Sequence, residues 1–393
     1  MIPIQNRLKV FKPKKKYAFG KYYVISAVYN VEKYLEDYFN SIFKQRLDFK
    51  NNIKIICIDD GSTDDSAKII KKYQSKYPNN IFYLHKENGG QASARNKGLK
   101  WLQEHLSNDL KPQTNNRDLA SISSKSKDYH KDTKPIWITF MDPDDFLDRD
   151  YFYEVDAFLK KHKDEDIAMI GCHYIFYFEK NKAYSDSHPL NHKFQEKQSI
   201  KINKALENFI QLSAATAFLK LSKIPKNLEF EEKLKPNFED AKFINEFLLN
   251  NINSQSVFLK NAIYYYRKRA DKSSSLDNAE YADKNQVLKL GYLLLLLYAK
   301  DKLKTIPSFI QNTIIYDLIW VIKATINQAK FRFHTSEQRI EFHRLFKEIF
   351  SLIDTDIILE FNLAGCWWYH KIGILHCFKD EYPPFQIIYI EDF

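Results

Sequence analysis

Glycine and cysteine are scarce in this chain, and two common nucleotide-binding patterns are missing. The 393 residues include only 9 glycines and 4 cysteines. So few cysteines in a chain of this length do not form a disulfide framework. Neither a Walker phosphate loop nor a Rossmann glycine fingerprint occurs, and no internal repeat is evident. These absences exclude disulfide-rich domains, P-loop and Rossmann-type nucleotide sites, and repeat architectures.

The chain also lacks a long hydrophobic run. The longest apolar stretch, around residues 293–297, is too short to span a bilayer. The basic start is not followed by the apolar segment of a signal peptide. We therefore expect a cytoplasmic protein, with peripheral contact at the inner face of the cytoplasmic membrane as a further expectation.

Positive charge and aromatic side chains are abundant. The formal net charge is +10, aromatic residues make up 15%, and hydrophobic residues make up 44%, as in a globular protein. Lysines are spread along the chain, and no zinc-finger or RNP-type motif is present. We expect an anionic partner such as a nucleotide or an acidic membrane face, and no nucleic acid.

Strands and helices alternate in the first part of the chain. Residues 22–28, 53–58, 81–84 and 137–141 are rich in β-branched and aromatic residues, and helical patterns follow the first three of these runs. Asn30 is expected to cap the first of these helices, which begins near Glu32. This alternation predicts an α/β fold with a largely parallel sheet. Polar motifs come directly after the strands, at the edge where such sheets bind ligands.

Three carboxylates follow the strand at residues 137–141, in the motif Asp142-Pro143-Asp144-Asp145. Carboxylates this close repel one another, and a divalent cation held by oxygen ligands relieves that repulsion. The alternative is a helix N-cap, formed by Asp145 or Asp148.

Four of the rare glycines lie in two strand-to-helix turns, after residues 58 and 84: Gly61, Gly89, Gly90 and Gly98. Glycine permits positive φ and a close approach of backbone to a ligand. Ordinary turn chemistry remains the alternative.

Five motifs taken together resemble glycosyltransferase family 2, including its bacterial capsule, teichoic-acid and lipopolysaccharide members. They are Ala27-Val28-Tyr29-Asn30, Asp59-Asp60-Gly61-Ser62-Thr63-Asp64, Asn88-Gly89-Gly90 with Ala94-Arg95-Asn96, Asp142-Pro143-Asp144-Asp145, and Phe238-Glu239-Asp240. The resemblance implies a GT-A fold: a mixed, mainly parallel sheet flanked by helices. It also implies a nucleotide-diphosphate sugar donor and inversion at the anomeric carbon. The QxxRW motif of processive members is absent.

The resemblance also implies a role for each matching residue. Asp240 matches the general base, with Glu239 beside it, and Asp142 and Asp144 match the metal-binding DxD motif for Mn²⁺ or Mg²⁺. The remaining donor-site residues are Val28, Asn30, Asp59, Asp60, Gly61, Gly90 and Arg95. Arg267 and Arg269 are further candidates because guanidinium groups match phosphate geometry, although a solvated basic turn is their alternative.

We expect a catalytic domain over residues 1–275, with a mobile polar insertion at 107–134, and a mostly helical region over 276–393. The helical region is expected to bind acceptor, form oligomers or contact a membrane, and Trp367, Trp368 and Tyr369 in it are expected to be core or interface anchors. The expected function is a hexosyltransferase that moves a sugar, with UDP as the expected carrier, to a glycan or lipid-linked acceptor in surface polysaccharide synthesis. The alternatives are a sugar- or polyol-phosphate transferase on the same fold and a non-catalytic nucleotide-sugar or glycan-binding subunit.

Overall fold

A computed structural model describes residues 13–109, 134–195, 198–235, 237–271, 284–325 and 335–381. Most of the polar insertion expected at 107–134 and the boundary expected near residue 276 lie outside the described residues. The division into two domains therefore stays a prediction.

The described strands form one mixed sheet, which confirms the expected fold class. The strand order is β3-β2-β1-β4-β9-β6-β10-β5, with β7 paired to β6 and β8 paired to β10. Parallel ladders join β1 to β2 and β4, β2 to β3, and β6 to β10. The strands are β1 Lys21–Val28, β2 Ile53–Asp59, β3 Ile81–His85, β4 Ile136–Phe140, β5 Phe146–Leu147, β6 Ile167–Phe178, β7 Ala183–Ser185, β8 Gln198–Ile202, β9 Ala217–Lys220 and β10 Gln255–Lys268.

Helices flank the sheet and continue beyond it. In chain order they are α1 Glu32–Phe43, α2 Phe49–Asn52, α3 Ser66–Lys76, α4 Gln91–Asp109, α5 Tyr151–Lys161, α6 Glu239–Asn250, α7 Lys284–Gln286, α8 Leu294–Leu303, α9 Ser308–Thr325, α10 Ser336–Ser351, α11 Thr355–Glu360 and α12 Trp368–Ile374. Residues 287–293 and 375–379 are π-helical.

Buried apolar residues form two clusters, one on each side of the sheet. One cluster contains α1 and α5 residues such as Leu35 and Phe152. The other joins β4 and α6 to the helices after residue 287, so that Phe140, Phe243 and Ile314 belong to the same core. The carboxyl-terminal helices therefore share apolar packing with the part of the molecule that contains the polar motifs.

One local expectation is wrong. Asn30 does not cap α1; the helix begins after Val31, and the Asn30 side chain instead accepts a hydrogen bond of 2.8 Å from the Thr63 backbone. Of the two roles expected for Trp367, Trp368 and Tyr369, the core role is excluded because between 48% and 64% of each residue is exposed. Their role as interface anchors stays a prediction. Among the described helices, none combines the length and the apolar character needed to cross a membrane.

Candidate active site

The polar motifs lie at one edge of the sheet because β1 to β4 are parallel. Their carboxyl-terminal ends are adjacent, and the chain leaves the sheet there at Val28, Asp59, His85 and Phe140. The side chains that follow these strands are thus brought together from distant parts of the sequence.

The first group surrounds the paired aspartates after β2. Asp59 Oδ2 accepts a hydrogen bond of 2.7 Å from the Tyr83 hydroxyl, and its Oδ1 accepts one of 2.9 Å from the Ser62 backbone. Burial by itself raises the pKa of Asp59, but these hydrogen bonds lower it by more, so its pKa lies below the usual range. Asp59 is therefore held as a carboxylate.

The carboxylate of Asp60 is bound by the turn before α4. It accepts hydrogen bonds of 3.0 and 2.7 Å from the backbone N–H groups of Gly89 and Gly90, and pairs with Lys86 Nζ at 2.6 Å. Gly90 has φ +92°, a conformation that favours glycine. The Asp60 N–H donates to the Val28 carbonyl at 2.8 Å, which ties the ends of β1 and β2 together.

Gly61 and Asn30 lie beside this group. Both have positive φ, +76° and +50° respectively, and the Asn30 N–H donates to the Ser62 hydroxyl at 3.2 Å. The two loops after β1 and β2 thus support each other at the predicted nucleotide side of the site.

Arg95, in the second turn of α4, connects two carboxylates from different segments. Its guanidinium donates to Asp142 Oδ1 at 2.8 Å and forms a second ion pair with Asp240 Oδ1. The side chain is almost fully buried, with the guanidinium near the rings of Phe140 and Phe230. Burial opposes its charge, but Asp240 and Asp142 more than compensate, so the pKa of Arg95 is raised. Arg95 therefore stays charged.

The general-base candidates begin α6. Asp240 Oδ2 accepts a hydrogen bond of 2.9 Å from the Ala214 backbone, while its other oxygen pairs with Arg95. Burial raises the pKa of Asp240 although Arg95 opposes the shift. Burial and the neighbouring Asp240 charge raise the pKa of Glu239 to about 8. A carboxyl group with a raised pKa is a stronger base, which suits proton abstraction near neutral pH.

The DxD residues are each held by an arginine. Asp142 accepts from Arg95 and, at 2.8 Å, from Gln91 Nε2, while Asp144 Oδ2 accepts from Arg269 Nε at 2.8 Å. Burial raises the pKa of Asp144, and Arg269 opposes that shift.

The structure excludes a helix N-cap for Asp145 and a solvated turn for Arg267. Asp145 caps no helix; it is buried and accepts from the Tyr264 hydroxyl and the Arg267 N–H, both at 2.7 Å. Arg267 is not in a solvated turn, because only 5% of it is exposed. Its guanidinium donates to Asp37 and to the Asp144 carbonyl, and it lies close to three aromatic rings: Tyr34, Phe146 and Tyr177. These contacts fix the loop that carries the DxD residues.

A cavity of about 280 Å³ adjoins Glu239 and Asp240. Its walls also include Arg95, Asp142 and Asp317 of α9. A larger cleft contains residues such as Lys21, Ile53 and Ile136. These residues begin their strands, so that cleft lies at the opposite edge of the sheet from the polar motifs.

The DxD carboxylates fit a divalent cation that takes its other ligands from a substrate. Among the described residues, no side chain donates to Oδ2 of Asp142 or Oδ1 of Asp144, so each retains an oxygen for a metal. Within the same residues no three metal-binding side chains converge. Mg²⁺-type sites commonly use one or two carboxylates with substrate phosphates and water, and the donor set matches that type.

Several residues of the site were not among the sequence candidates. Lys86 and Gln91 follow β3 and were identifiable as polar residues at the ligand edge. The Ala214 N–H and the Tyr264 hydroxyl come from segments with apolar patterns, and only long-range contacts bring them to Asp240 and Asp145.

The chain is similar to proteins of teichoic acid synthesis. Two minor teichoic acid biosynthesis proteins of Bacillus subtilis (strain 168) align with most of it. GgaB is 33% identical over 358 residues, which cover 90% of this chain and 35% of GgaB. GgaA is 28% identical over 363 residues, which cover 91% of this chain and 72% of GgaA. The chain thus spans only about a third of GgaB.

The fold is also found in a solved structure. The crystal structure of S. aureus TarS 1–349 in complex with UDP-GlcNAc has a TM-score of 0.60 at 17% sequence identity, over 91% of this chain and 87% of that one. This likeness confirms the fold expected from the motifs. Residues 23–105, which include Arg95 and the loops after β1 and β2, match the model of Glycosyl transferase family 2. The chain therefore contains a glycosyltransferase family 2 domain.

Proposed function

We propose that the protein is an inverting glycosyltransferase that moves a sugar from UDP to a hydroxyl of a glycan or lipid-linked acceptor in surface polysaccharide synthesis. The names of the relatives GgaA and GgaB support a teichoic-acid type of acceptor. The TarS complex with UDP-GlcNAc supports a UDP-linked donor.

The observation that carries the proposal is the pair of contacts made by Arg95. Inverting transfer needs a leaving-group side and a base side that face each other across the anomeric carbon. Arg95 bonds Asp142 of the DxD motif and Asp240 of the base motif at once. The two carboxylates are therefore held at a fixed separation, which is the positioning that a displacement reaction requires.

On the donor side, Asp59 and Asp60 contact the nucleotide base, and backbone near Val28, Asn30 and Gly61 lines the ribose. Gly90 permits its turn to approach the donor closely. Asp142 and Asp144 would hold Mn²⁺ or Mg²⁺, and the bound cation would supply positive charge beside the diphosphate. Arg269, beside Asp144, adds positive charge on the same side. For Arg267 a diphosphate contact stays a prediction, since its guanidinium is already engaged by protein groups.

On the acceptor side, Asp240 takes the proton of the attacking hydroxyl, and Glu239 sets the electrostatic environment of that base. A positioned base of this kind contributes about 10²–10⁴-fold to the rate. The cavity that adjoins Asp240 receives the acceptor.

The test is to incubate the protein with UDP-sugars, Mn²⁺ and a teichoic-acid-type acceptor and to identify both products. Glycosyl transfer releases UDP, whereas transfer of a sugar or polyol phosphate releases a nucleoside monophosphate. A non-catalytic subunit releases neither, although donor binding still raises its melting temperature. Release of UDP with a glycosylated acceptor is the expected result.

The Asp240→Asn variant tests the base. It keeps the shape of the side chain, so we expect a folded protein whose transfer rate is about 10²–10⁴-fold lower. Asp301→Asn is the matched control, because the Asp301 side chain is exposed and pairs with Lys304 rather than with a residue of the site. An Asp240→Asn variant with wild-type turnover would remove Asp240 from the role of base.

Membrane contact and homo-oligomer formation stay predictions. Exposed aromatic residues of the carboxyl-terminal helices provide a surface on which to test them: Trp320, Trp367, Trp368 and Tyr369. Co-sedimentation with anionic vesicles, compared between the wild type and Trp367→Ala/Trp368→Ala, measures membrane contact. Light scattering measures homo-oligomer formation.

A further inference from the structure

We propose that the helical segment from residue 284 to residue 325 is part of the acceptor-side machinery, because it holds the backbone turn that presents Glu239 and Asp240. This inference rests on the proposed role of Asp240 as the base. It gives the carboxyl-terminal helices a function inside the active site, with Gly291 and Tyr292 as positioning residues.

The first observation is the backbone conformation of Phe238. Its φ is +78°, in the left-handed region that residues with a Cβ rarely adopt, and it directly precedes the two acidic residues of α6. The Phe238 carbonyl accepts from Lys242 N–H at 2.9 Å, so the strained residue starts the helix. A side chain in this conformation persists only where its surroundings hold it there.

The second observation is the packing of the Phe238 ring. Tyr292 meets it edge to face, with ring centroids 4.5 Å apart and an angle of 88°. Gly291 lies against the same ring, and a Cβ added to Gly291 would be 2.9 Å from Phe238 Cδ1, which is too close. The segment at 287–293 therefore approaches Phe238 closely because residue 291 has no side chain.

The third observation links the same segment to the cavity. The Tyr292 hydroxyl donates a short hydrogen bond to Asp317 Oδ2, and Asp317 forms part of the cavity wall with Glu239 and Asp240. Tyr292 is buried, and burial together with Asp317 raises its pKa, so the phenol keeps its proton for this bond. Phe238, Tyr292 and Asp317 thus join the base motif to helix α9.

Gly291→Ala is the test, with Gly373→Ala as its matched control. Both glycines are helical, but a Cβ at Gly373 meets nothing within 4 Å. We expect Gly291→Ala to displace Phe238 and to lower kcat about 10- to 100-fold, since small misplacements of reacting groups have effects of that size. UDP affinity, which depends on the loops after β1 and β2, should stay at the wild-type value. Gly373→Ala should match the wild type in both measurements.

Hydrogen exchange provides a readout that does not depend on activity. Amides of residues 238–242 should exchange faster in Gly291→Ala than in the wild type or in Gly373→Ala. This result would support the inference even if the wild type transfers no sugar, in which case the proposed function alone would fail. Unchanged exchange at 238–242 in a folded Gly291→Ala protein would overturn the inference.

Two further variants cover the case in which Gly291→Ala does not fold. Tyr292→Phe keeps the ring contact and removes only the bond to Asp317, and we expect a lower kcat with unchanged UDP affinity. Phe238→Ala and Phe238→Ala/Gly291→Ala should have equal kcat, because without the ring the added methyl group meets no obstacle. A wild-type kcat in Tyr292→Phe, or a further loss in the double variant, would contradict the role assigned to these contacts.

Discussion

Arg95 and Asp240 are 145 residues apart in the chain and form an ion pair at the centre of the candidate site. The pair is unusual in having a third member, because the same guanidinium bonds Asp142. Two carboxylates that would otherwise repel each other are thus held by one buried cation. The geometry depends on the planar fork of arginine, which can serve two acceptors at once.

Replacement of Arg95 should therefore affect both stability and turnover. We expect Arg95→Met to lower the free energy of unfolding by about 1–3 kcal/mol, because it leaves the partly buried carboxylates of Asp142 and Asp240 without their donor and counter-charge. Arg95→Lys should fold better but transfer sugar slowly, since one ammonium group cannot reproduce both contacts. Urea titration and initial rates measure the two effects. Arg344→Met, on the exposed face of α10, is the control and should behave like the wild type. Equal stability of Arg95→Met and Arg344→Met would contradict the prediction.

The raised pKa of Glu239 should appear in the pH dependence of stability. The folded protein holds this proton up to about pH 8, whereas the unfolded chain loses it near the ordinary value of 4.5. Between these values the unfolded state binds fewer protons, so the free energy of unfolding should fall as the pH rises. Glu239→Gln cannot ionise and should show a flatter slope in this window. Identical slopes in the two proteins, measured by denaturant titration at several pH values, would refute the assignment.

The Asp240 carboxyl group should control the pH dependence of transfer. A base must be ionised, and the pKa of Asp240 is raised by burial, so the rate should increase with pH as Asp240 loses its proton. Glu239→Gln should leave the midpoint of this increase unchanged, because Glu239 keeps its own proton up to about pH 8 and carries no charge while Asp240 ionises. Profiles of kcat/KM for the wild type and Glu239→Gln provide the comparison, and a clear shift of the midpoint in either direction would count against the prediction.

Removal of divalent metal should stop transfer. We expect EDTA to abolish UDP release and Mn²⁺ to restore it, since Asp142 and Asp144 each retain an oxygen for a cation. Asp144→Asn should raise the Mn²⁺ concentration needed for half-maximal rate. Arg269→Met should lower that concentration, because it frees the other oxygen of Asp144. Full activity in EDTA would exclude the metal from the mechanism.

The hydroxyl of Tyr264 should contribute measurably to stability. It donates to the buried Asp145 at 2.7 Å, and burial raises the pKa of that carboxyl group well above its usual range. Tyr264→Phe leaves a buried oxygen without its donor and should cost about 1–3 kcal/mol of unfolding free energy. Tyr369→Phe, at an exposed tyrosine, should change it little. Equal melting curves for the two variants would show that Asp145 does not depend on the bond.

Local sequence patterns predicted the strands that form the ligand edge, and the family motifs predicted most residues that meet there. Asp59, Asp60 and Asp142 lie where runs of apolar, β-branched and aromatic residues end, and parallel strands bring these ends to a common edge. The prediction that Asn30 caps α1 is wrong, because its side chain instead accepts a hydrogen bond from the Thr63 backbone in another loop. The burial of Arg267 and the packing of Gly291 and Tyr292 against Phe238 depend on segments distant in sequence. Local propensity carries no information about such contacts.

Gly90 and the first two turns of α4 contact three carboxylates of the site: the Gly90 N–H donates to Asp60, and the Gln91 side chain donates to Asp142. Arg95 pairs with both Asp142 and Asp240. The five-residue spacing from Gly90 to Arg95 therefore fixes the positions of these carboxylates relative to one another. An insertion of a single residue would rotate everything beyond it by about 100° and separate Asp60 from Asp142 and Asp240. The length of this short segment is therefore not adjustable, whatever the length of the loops around it.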